Sequence, residues 1–501
     1  MNVNTTQPSR PDEASALAVV AVLLERLHAR GLPYCHWKSN EHVREGLLGL
    51  TDLDILVDRR CALELHGLLS AGGFKRFGAL GAGVYPAVED YLGFDEATGK
   101  LVHLHLHYEL VLGERHLKGY RLPWEARLLA TRTFDAAHNV YTADPNLELL
   151  LLLVRSALKI RFRDRLKARL GRSYLGGDSQ REYHWLAPRT DPEEVKRLGR
   201  ELLGGDDALG ALLDGPPGLQ ALRTFRRAIE PTVGLYRSYS PLGARWRRLL
   251  REGVWVAGVL NKRYLNAPQP LRRTAPTGGR VVAFLGSDGS GKTTLLRTLN
   301  RWLSWKLDVY PVYHGSGDGR ASLLRLPLRL GLKLLKSRRR SGGDAAGGTP
   351  KPKTLNPARV LWALVLSWEK RAKLRSAWRA RNRGMIVLAD RYPQAQVAGF
   401  NDGPLLAAWR AHPARPLRAL ARWERAPYEW AARHPPDLVV KLRVSPEVAH
   451  HRKPEMPLGD FERRVAAVES LQFATDTVTL DADRPADEVL NHVKGLVWEL
   501  L

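Results

Sequence analysis

Cysteine is nearly missing from this chain: Cys35 and Cys61 are the only two among 501 residues. So few thiols cannot staple a chain of this length, which excludes a disulfide scaffold and predicts a reducing, cytoplasmic setting. Long apolar runs are missing too. The most apolar stretch, Leu149 to Val154, falls far short of the roughly 20 residues that a membrane-spanning helix needs. The opening MNVNTTQPSRPDEAS is polar and carries acids, so no secretory signal is expected. Acidic side chains are in deficit, 52 against 78 Lys and Arg, which leaves a net charge of +26. That excess predicts acidic or phosphorylated partners, among them nucleic acid or an anionic membrane surface. No internal repeat is visible. Hydrophobic residues, by contrast, make up 44% and include 14 Trp, so the chain has ample material for packed cores. Its length implies two or three domains. A homodimer is compatible with these numbers, which fix no oligomeric state.

The most informative residues lie between Val281 and Thr294, which read VVAFLGSDGSGKTT. An apolar run, Val281 to Leu285, leads into Gly286-Ser287-Asp288-Gly289-Ser290-Gly291-Lys292-Thr293, and an amphipathic segment from Thr294 to Leu303 follows. This is a phosphate-binding loop in the strand-then-helix context that its physics requires. The glycines let backbone N–H groups turn inward around a polyphosphate, and the helix N-terminus adds a favourable dipole. Lys292 is placed to reach the β- and γ-phosphates, and the Thr293 hydroxyl to ligate Mg²⁺. Gly286, Ser287, Gly289, Ser290, Gly291, Lys292, Thr293 and Thr294 are therefore the expected binding residues for a nucleoside triphosphate, ATP with Mg²⁺.

Two further stretches bear on what such a site does. Met385 to Ala389 reads as a buried strand that delivers Asp390-Arg391-Tyr392-Pro393 at its C-terminal end, where ligands sit in an open parallel sheet. Asp390 suits Mg²⁺ or acceptor orientation, and Arg391 suits phosphate neutralisation. Pro435 to Leu442 reads as a strand leading into a helix and then the basic run His451-Arg452-Lys453. That run reads as a lid whose Arg452 and Lys453 close over a transferring phosphate, or as a solvated helix end, as do Arg463 and Arg464.

Together these residues resemble the thymidylate kinase family of nucleoside monophosphate kinases, over roughly 280–501. GSDGSGKTT is similar to that family's loop, ADRYP to its Asp-Arg-Tyr signature, PPDLVVKLRVSPEVAHHRK to its Pro-Asp-Leu strand and lid helix, and TLDADRPADEV to its last strand and turn. The resemblance implies that Asp288 contacts the acceptor's sugar hydroxyl, that Arg391 handles phosphate, and that Tyr392 lies at the acceptor site. With Gly289 where an arginine would follow the acid, it implies a catalytic charge from the lid, Arg452 first. Arg371, in Trp368-Glu369-Lys370-Arg371, is the candidate helix arginine facing the acceptor phosphate. The departures concern the acceptor: Tyr313-His314-Gly315-Ser316-Gly317-Asp318-Gly319 replaces the family's arginine-glutamate-proline-glycine-glycine motif, and Gln394-Ala395-Gln396-Val397 replaces its serine-rich stretch.

The N-terminal part reads as a small α/β domain over 15–144. Tyr34-Cys35-His36-Trp37-Lys38-Ser39-Asn40 and then Thr51-Asp52-Leu53-Asp54-Ile55-Leu56-Val57 resemble the nucleotidyltransferase superfamily, in which two acids one residue apart bind catalytic metal. Period-two geometry puts Asp52 and Asp54 on one strand face. The superfamily's third carboxylate is not evident; the strand Leu101 to His107 offers His103, His105 and His107 on one face instead, donors suited to a transition metal. Between the two, 145–265 reads as a helical basic region, 266–279 as a linker, and 337–356 within the last domain as a mobile insert.

The fold expected is therefore α/β: a C-terminal phosphate-loop domain with a parallel sheet, a smaller N-terminal α/β domain and a helical middle. The activity expected is ATP-dependent phosphoryl transfer to a small acceptor, thymidylate first. The alternatives are a sugar or glycan acceptor, or a non-catalytic nucleotide-binding module docking on nucleic acid or membrane.

Overall fold

A computed structural model describes residues 16–114, 116–160, 177–205, 208–275, 277–315, 357–398 and 403–501. The 337–356 insert and residues 316–319 of the departing motif lie outside these. The chain divides into two compact units: Met1–Arg263 with Leu271–Pro276, and Tyr264–Pro270 with Thr277–Leu501.

In the first unit the strands are β1 Tyr34–His36, β2 Asp52–Val57, β3 Lys75–Ala79, β4 Val88–Asp95, β5 Lys100–His107, β6 Leu110–Glu114, β7 Leu117–Leu122, β8 Thr133–Asp135, β9 Val140–Thr142 and β10 Arg273–Thr274. Eight of them form a mixed sheet in the order β10-β3-β4-β5-β2-β1-β9-β8, while β6 and β7 make a separate hairpin. The sequence of β5, Lys-Leu-Val-His-Leu-His-Leu-His, explains its place. Val102, Leu104 and Leu106 fall on one face and join Leu53, Ile55 and Val57 of β2 in a core beneath the Ala18–Ala29 and Ala62–Ala71 helices. The histidines and Asp52 and Asp54 therefore face the other way.

That opposite side packs on the helices of the middle region. Cys35, Trp37 and Leu56 share one core cluster with Leu186, Leu198, Leu222 and Phe225. Its centre is the Pro145–Leu158 helix, in which every residue from Leu147 to Leu158 is buried. A helix buried on every side has no solvent face to offer, and its two charged residues are satisfied inside: Glu148 accepts from Asn40, and Arg155 donates to Glu182. The 145–260 helices thus belong to the same unit as the N-terminal sheet, and β10, within the stretch read as a linker, pairs antiparallel with β3.

The second unit carries β11 Arg280–Gly286, β12 Val309–Tyr313, β13 Ile386–Asp390, β14 Leu438–Arg443 and β15 Thr477–Asp481. They form a sheet in the order β12-β13-β11-β14-β15, and every pairing is parallel. Val281 to Leu285 are at most 2% exposed. That unbroken apolar run suits a central strand covered on both faces. Strand order reverses direction beside β11, so ligand-facing loops gather at the C-terminal ends of β11 and β13. Among the described residues no helix is long and apolar enough to cross a membrane.

Candidate functional site

After β11 the chain turns tightly through Gly286–Gly291 and enters the Lys292–Ser304 helix. The turn needs its glycines. Gly289 and Gly291 have φ of +82° and +80°, a region L-residues with side chains rarely adopt. A Cβ on Gly289 would also sit 2.9 Å from the Ala449 carbonyl oxygen, and one on Gly286 would sit 2.6 Å from Ser290 Oγ. Gly291 caps the helix without a side-chain hydrogen bond, so the first-turn N–H groups are left for a ligand.

Lys292 is folded back into this turn. Its Nζ donates to the carbonyl oxygens of Gly286 at 2.8 Å and Ser287 at 3.0 Å. Burial first, and then the nearby Arg391 guanidinium, push its ammonium down to about 8, against the pull of Asp390 and Asp288. Ser290 Oγ donates to Ser287 O at 2.9 Å and fixes the inner wall of the loop. Thr293 and Thr294 are exposed on the first helical turn.

Asp390 and Arg391 stand beside this turn because β13 neighbours β11. Phe284 pairs with Asp390 in register, and the Arg391 amide donates to Phe284 O at 2.9 Å. Arg391 adopts φ +68°, a strained conformation for a residue with a side chain. Its guanidinium lies 3.8 Å from the Asp288 carboxylate. Asp288 is paired more closely with Arg464 of the Leu458–Glu469 helix. Arg452 reaches the loop as well, but its guanidinium donates to the Gly289 carbonyl at 3.1 Å and the Ala482 carbonyl at 3.1 Å. In this conformation those two carbonyl oxygens hold its guanidinium beside the loop. Arg463 instead pairs locally with Asp460 on the exposed side of its helix.

The acceptor-side residues divide. Tyr392 is buried and its hydroxyl donates to the His434 carbonyl, while burial raises it to about 12. It packs the core against His314 and Phe473. Arg371 is on the exposed face of the Pro357–Asn382 helix. That helix turns Glu369, Lys370 and Lys373 inward; Lys373 pairs with Glu369 at 2.7 Å, and Lys370 Nζ donates to Tyr428 Oη at 3.3 Å. His314 is 1% exposed and its amide donates to Asp390 O at 3.0 Å. Burial, then Lys373 and Lys370, lower its ring to about 3, so it is neutral at physiological pH. Helical spacing alone did not say which of residues 369 to 373 faces inward, and only the packing against β12 decides it.

In the first unit, β2 lies parallel to β5 with Asp52 opposite His103 and Asp54 opposite His105. β4 lies antiparallel on the far side of β5, with Asp90 opposite His105. The result is one continuous row. His103 bonds Asp52 at 2.8 Å and Asp90 at 2.9 Å. His105 reaches Asp90 at 2.9 Å and Asp54 at 3.4 Å, and His107 reaches Asp54 at 3.1 Å. Lys38 and Arg273 add cations at 2.8 Å from Asp54 and 2.9 Å from Asp90. Asp90 adds a carboxylate to this row that reading β5 alone did not find. Its local sequence, Val-Glu-Asp-Tyr, carries no motif, and only strand register brings it here.

A turn of amides, an uncapped helix end, a lysine and an adjacent arginine can together hold a polyphosphate anion. No protein-family model matches the chain. It is 33% identical over 224 residues to the uncharacterized ATP-binding protein YghS of Escherichia coli, a match covering 42% of this chain and 89% of that protein. It is 32% identical over 225 residues to the uncharacterized ATP-binding protein YghR of the same organism, covering 43% of this chain and 86% of that protein. With nearly the whole of both relatives covered, this chain belongs to the YghS and YghR family.

Proposed function

We propose that the second unit binds ATP and transfers its terminal phosphoryl group to a small phosphorylated acceptor, in the manner of a nucleoside monophosphate kinase. Thymidylate is the first acceptor to test. The observation that carries this reading is the pairing of the Gly286–Thr293 turn with Asp390 and Arg391 on the adjoining strand. The names of both relatives, which describe them as ATP-binding, support the nucleotide.

Phosphoryl transfer asks for in-line placement and charge neutralisation more than covalent chemistry. The loop amides and the helix N-terminus take the β- and γ-phosphates. Lys292 exchanges its two carbonyl contacts for phosphate oxygens, where its charge counts for more. Arg391 neutralises charge between donor and acceptor. Thr293 and Asp390 both offer oxygen donors at the mouth of the loop, the ligand type Mg²⁺ prefers, and would hold that ion with the phosphates. When bound, Mg²⁺ supplies charge stabilisation of the phosphates. The inward Lys370 and Lys373 supply positive charge on the acceptor side, which favours an acceptor that already carries phosphate. The Asp288–Arg464 pair occupies the acid that the thymidylate kinase resemblance assigns to the acceptor sugar, so a sugar phosphate is the second acceptor class to test.

The test is ADP release from the full chain with ATP, Mg²⁺ and a panel of nucleoside monophosphates and sugar phosphates. Removing one preorganised charge of this kind typically costs 10²-fold or more, so Lys292→Ala should lower turnover by about that factor. Wild-type turnover in that variant, or acceptor-independent ADP release alone, would sink the kinase reading.

A further inference from the structure

We propose that the first unit holds a divalent transition-metal ion of the zinc class on Asp54, His105 and His107. The argument begins with register. β2 and β5 run side by side and in parallel, so Asp54 and His105 are lateral neighbours, and His107 follows two residues along the same face. One donor atom from each of the three lies within 4.8 Å of the others. Asp54 Oδ1 is 3.1 Å from His107 Nε2 and 3.4 Å from His105 Nδ1. Donors sharing a tetrahedral zinc at about 2.0–2.1 Å are about 3.3 Å apart, a spacing Asp54 Oδ1 already has to each histidine nitrogen, and all three donors lie within 4.8 Å.

The donor types narrow the choice of ion. Two imidazoles with one carboxylate suit zinc, manganese or cobalt, whereas Mg²⁺ is held through oxygen. The residues sit on adjoining strands rather than on loops, so the site is rigid before any ion arrives. His107 is 4% exposed and its Nδ1 has no hydrogen-bond partner among the described residues. The nitrogen that faces Asp54 is Nε2, the proposed donor, and burial holds the ring in that orientation. Asp90 and His103, which bond the rest of the row, would orient His105 from behind, as outer carboxylates commonly do for metal-bound imidazole.

Lys38 makes the proposal sharper. Its ammonium lies 2.8 Å from the same Asp54 oxygen that both histidines approach. It is a tethered monovalent cation standing where the divalent ion would bind. A metal must displace it, so Lys38 lowers metal affinity, and its long stem lets it swing clear. Three protein donors leave a fourth tetrahedral position open, an arrangement found where a metal acts on an outside ligand rather than only bracing a fold.

The experiment uses the full chain without a histidine tag, stripped with chelator and titrated with Co²⁺ and with Zn²⁺. The expected result is one equivalent bound, with visible d–d bands of tetrahedral Co²⁺. Even outer-shell changes cost roughly 10–100-fold in metal affinity, so His105→Ala and His107→Ala should weaken binding by at least about that much. Lys38→Met leaves every proposed ligand in place, and it should strengthen binding. The proposal is overturned if neither wild type nor Lys38→Met binds one equivalent. It is also overturned if both histidine variants, natively folded by circular dichroism, bind as wild type does. Should a histidine variant fail to fold, the Lys38→Met titration still decides. None of these readouts involves the ATP reading of the second unit, so either can fail alone.

Discussion

In the second unit the groups proposed to face a ligand are backbone amides and a lysine from one continuous stretch, Gly286 to Thr293. In the first unit they are side chains brought together from β2, β4 and β5, with bonded partners as far as 53 residues apart in sequence. The first arrangement depends on φ values and on the absence of Cβ atoms. The second depends on the register of three strands. A loop built from backbone tolerates change in what surrounds it but not in its glycines, whereas a row of side chains tolerates either sort of change only while its strands stay aligned.

This contrast can be broken most forcefully at Lys292. Lys292→Ala should lower turnover about 10²-fold, as measured by ADP release, and Lys292→Met should match it. The same lysine also tests burial. Its folded pKa of about 8 is below the ordinary 10.5. The unfolded chain therefore binds more protons between those values, and stability must rise as pH climbs from about 8 to 10.5. Chemical denaturation at the two ends of that window should show the rise in wild type and a flatter response in Lys292→Met. An equal rise in both would place the titrating group elsewhere.

A smaller effect is expected at Gly289. A side chain there must accept φ +82° and a Cβ 2.9 Å from the Ala449 carbonyl oxygen. Strain of that type costs about 1–3 kcal/mol, so Gly289→Ala should lower the denaturation midpoint of the second unit by a corresponding amount. An unchanged midpoint would mean that the loop relaxes freely.

The matching probe of the first unit is acid. Burial lowers His107 to about 3, while an exposed histidine titrates near 6.5. Between those values the unfolded chain takes up the proton and the folded chain does not, so stability falls as pH drops from about 6.5 towards 3. His107→Asn should remove part of that acid sensitivity in thermal melts followed at pH 7 and pH 4.5. The smallest effect belongs to Arg371→Ala. An exposed helix residue away from special contacts changes stability by about 0.5 kcal/mol at most, and turnover should hold steady. Lys373→Ala, which breaks a 2.7 Å pair with Glu369 on the inward face, should raise the acceptor KM. A large loss of turnover in Arg371→Ala would return that residue to the acceptor site.

Residue by residue, legibility followed the same division. The Gly286–Thr293 turn was readable because a strand, four spacer residues, three glycines and a lysine act within one short window. Asp390 and Arg391 were readable for a similar reason: an apolar strand ends and polar residues follow it. Asp52, Asp54 and the three histidines could be assigned to strand faces by period two. Asp90, Lys370 and Lys373 were not assigned, and Arg464, read as a lid cation or a solvated helix end, could not be matched to Asp288, because each depends on which element lies beside which. Tyr392 and Arg371 sat in suggestive positions, yet one has its hydroxyl satisfied in the core and the other faces solvent.

What the amino-acid order alone determined was local. It set the conformational freedom of the glycines, the central burial of Val281 to Leu285, the alternation of β5 and the excess of positive charge, since each follows from covalent geometry or from summing side chains. Tertiary structure alone decided the partners: Asp288 with Arg464, Asp90 across β3 with Arg273, Lys38 on Asp54, and the joining of the middle helices to the N-terminal sheet. The physical reason is that hydrogen bonds and ion pairs act over a few ångströms in space. Their strength ignores how far apart along the chain the two groups lie, so no local window contains them.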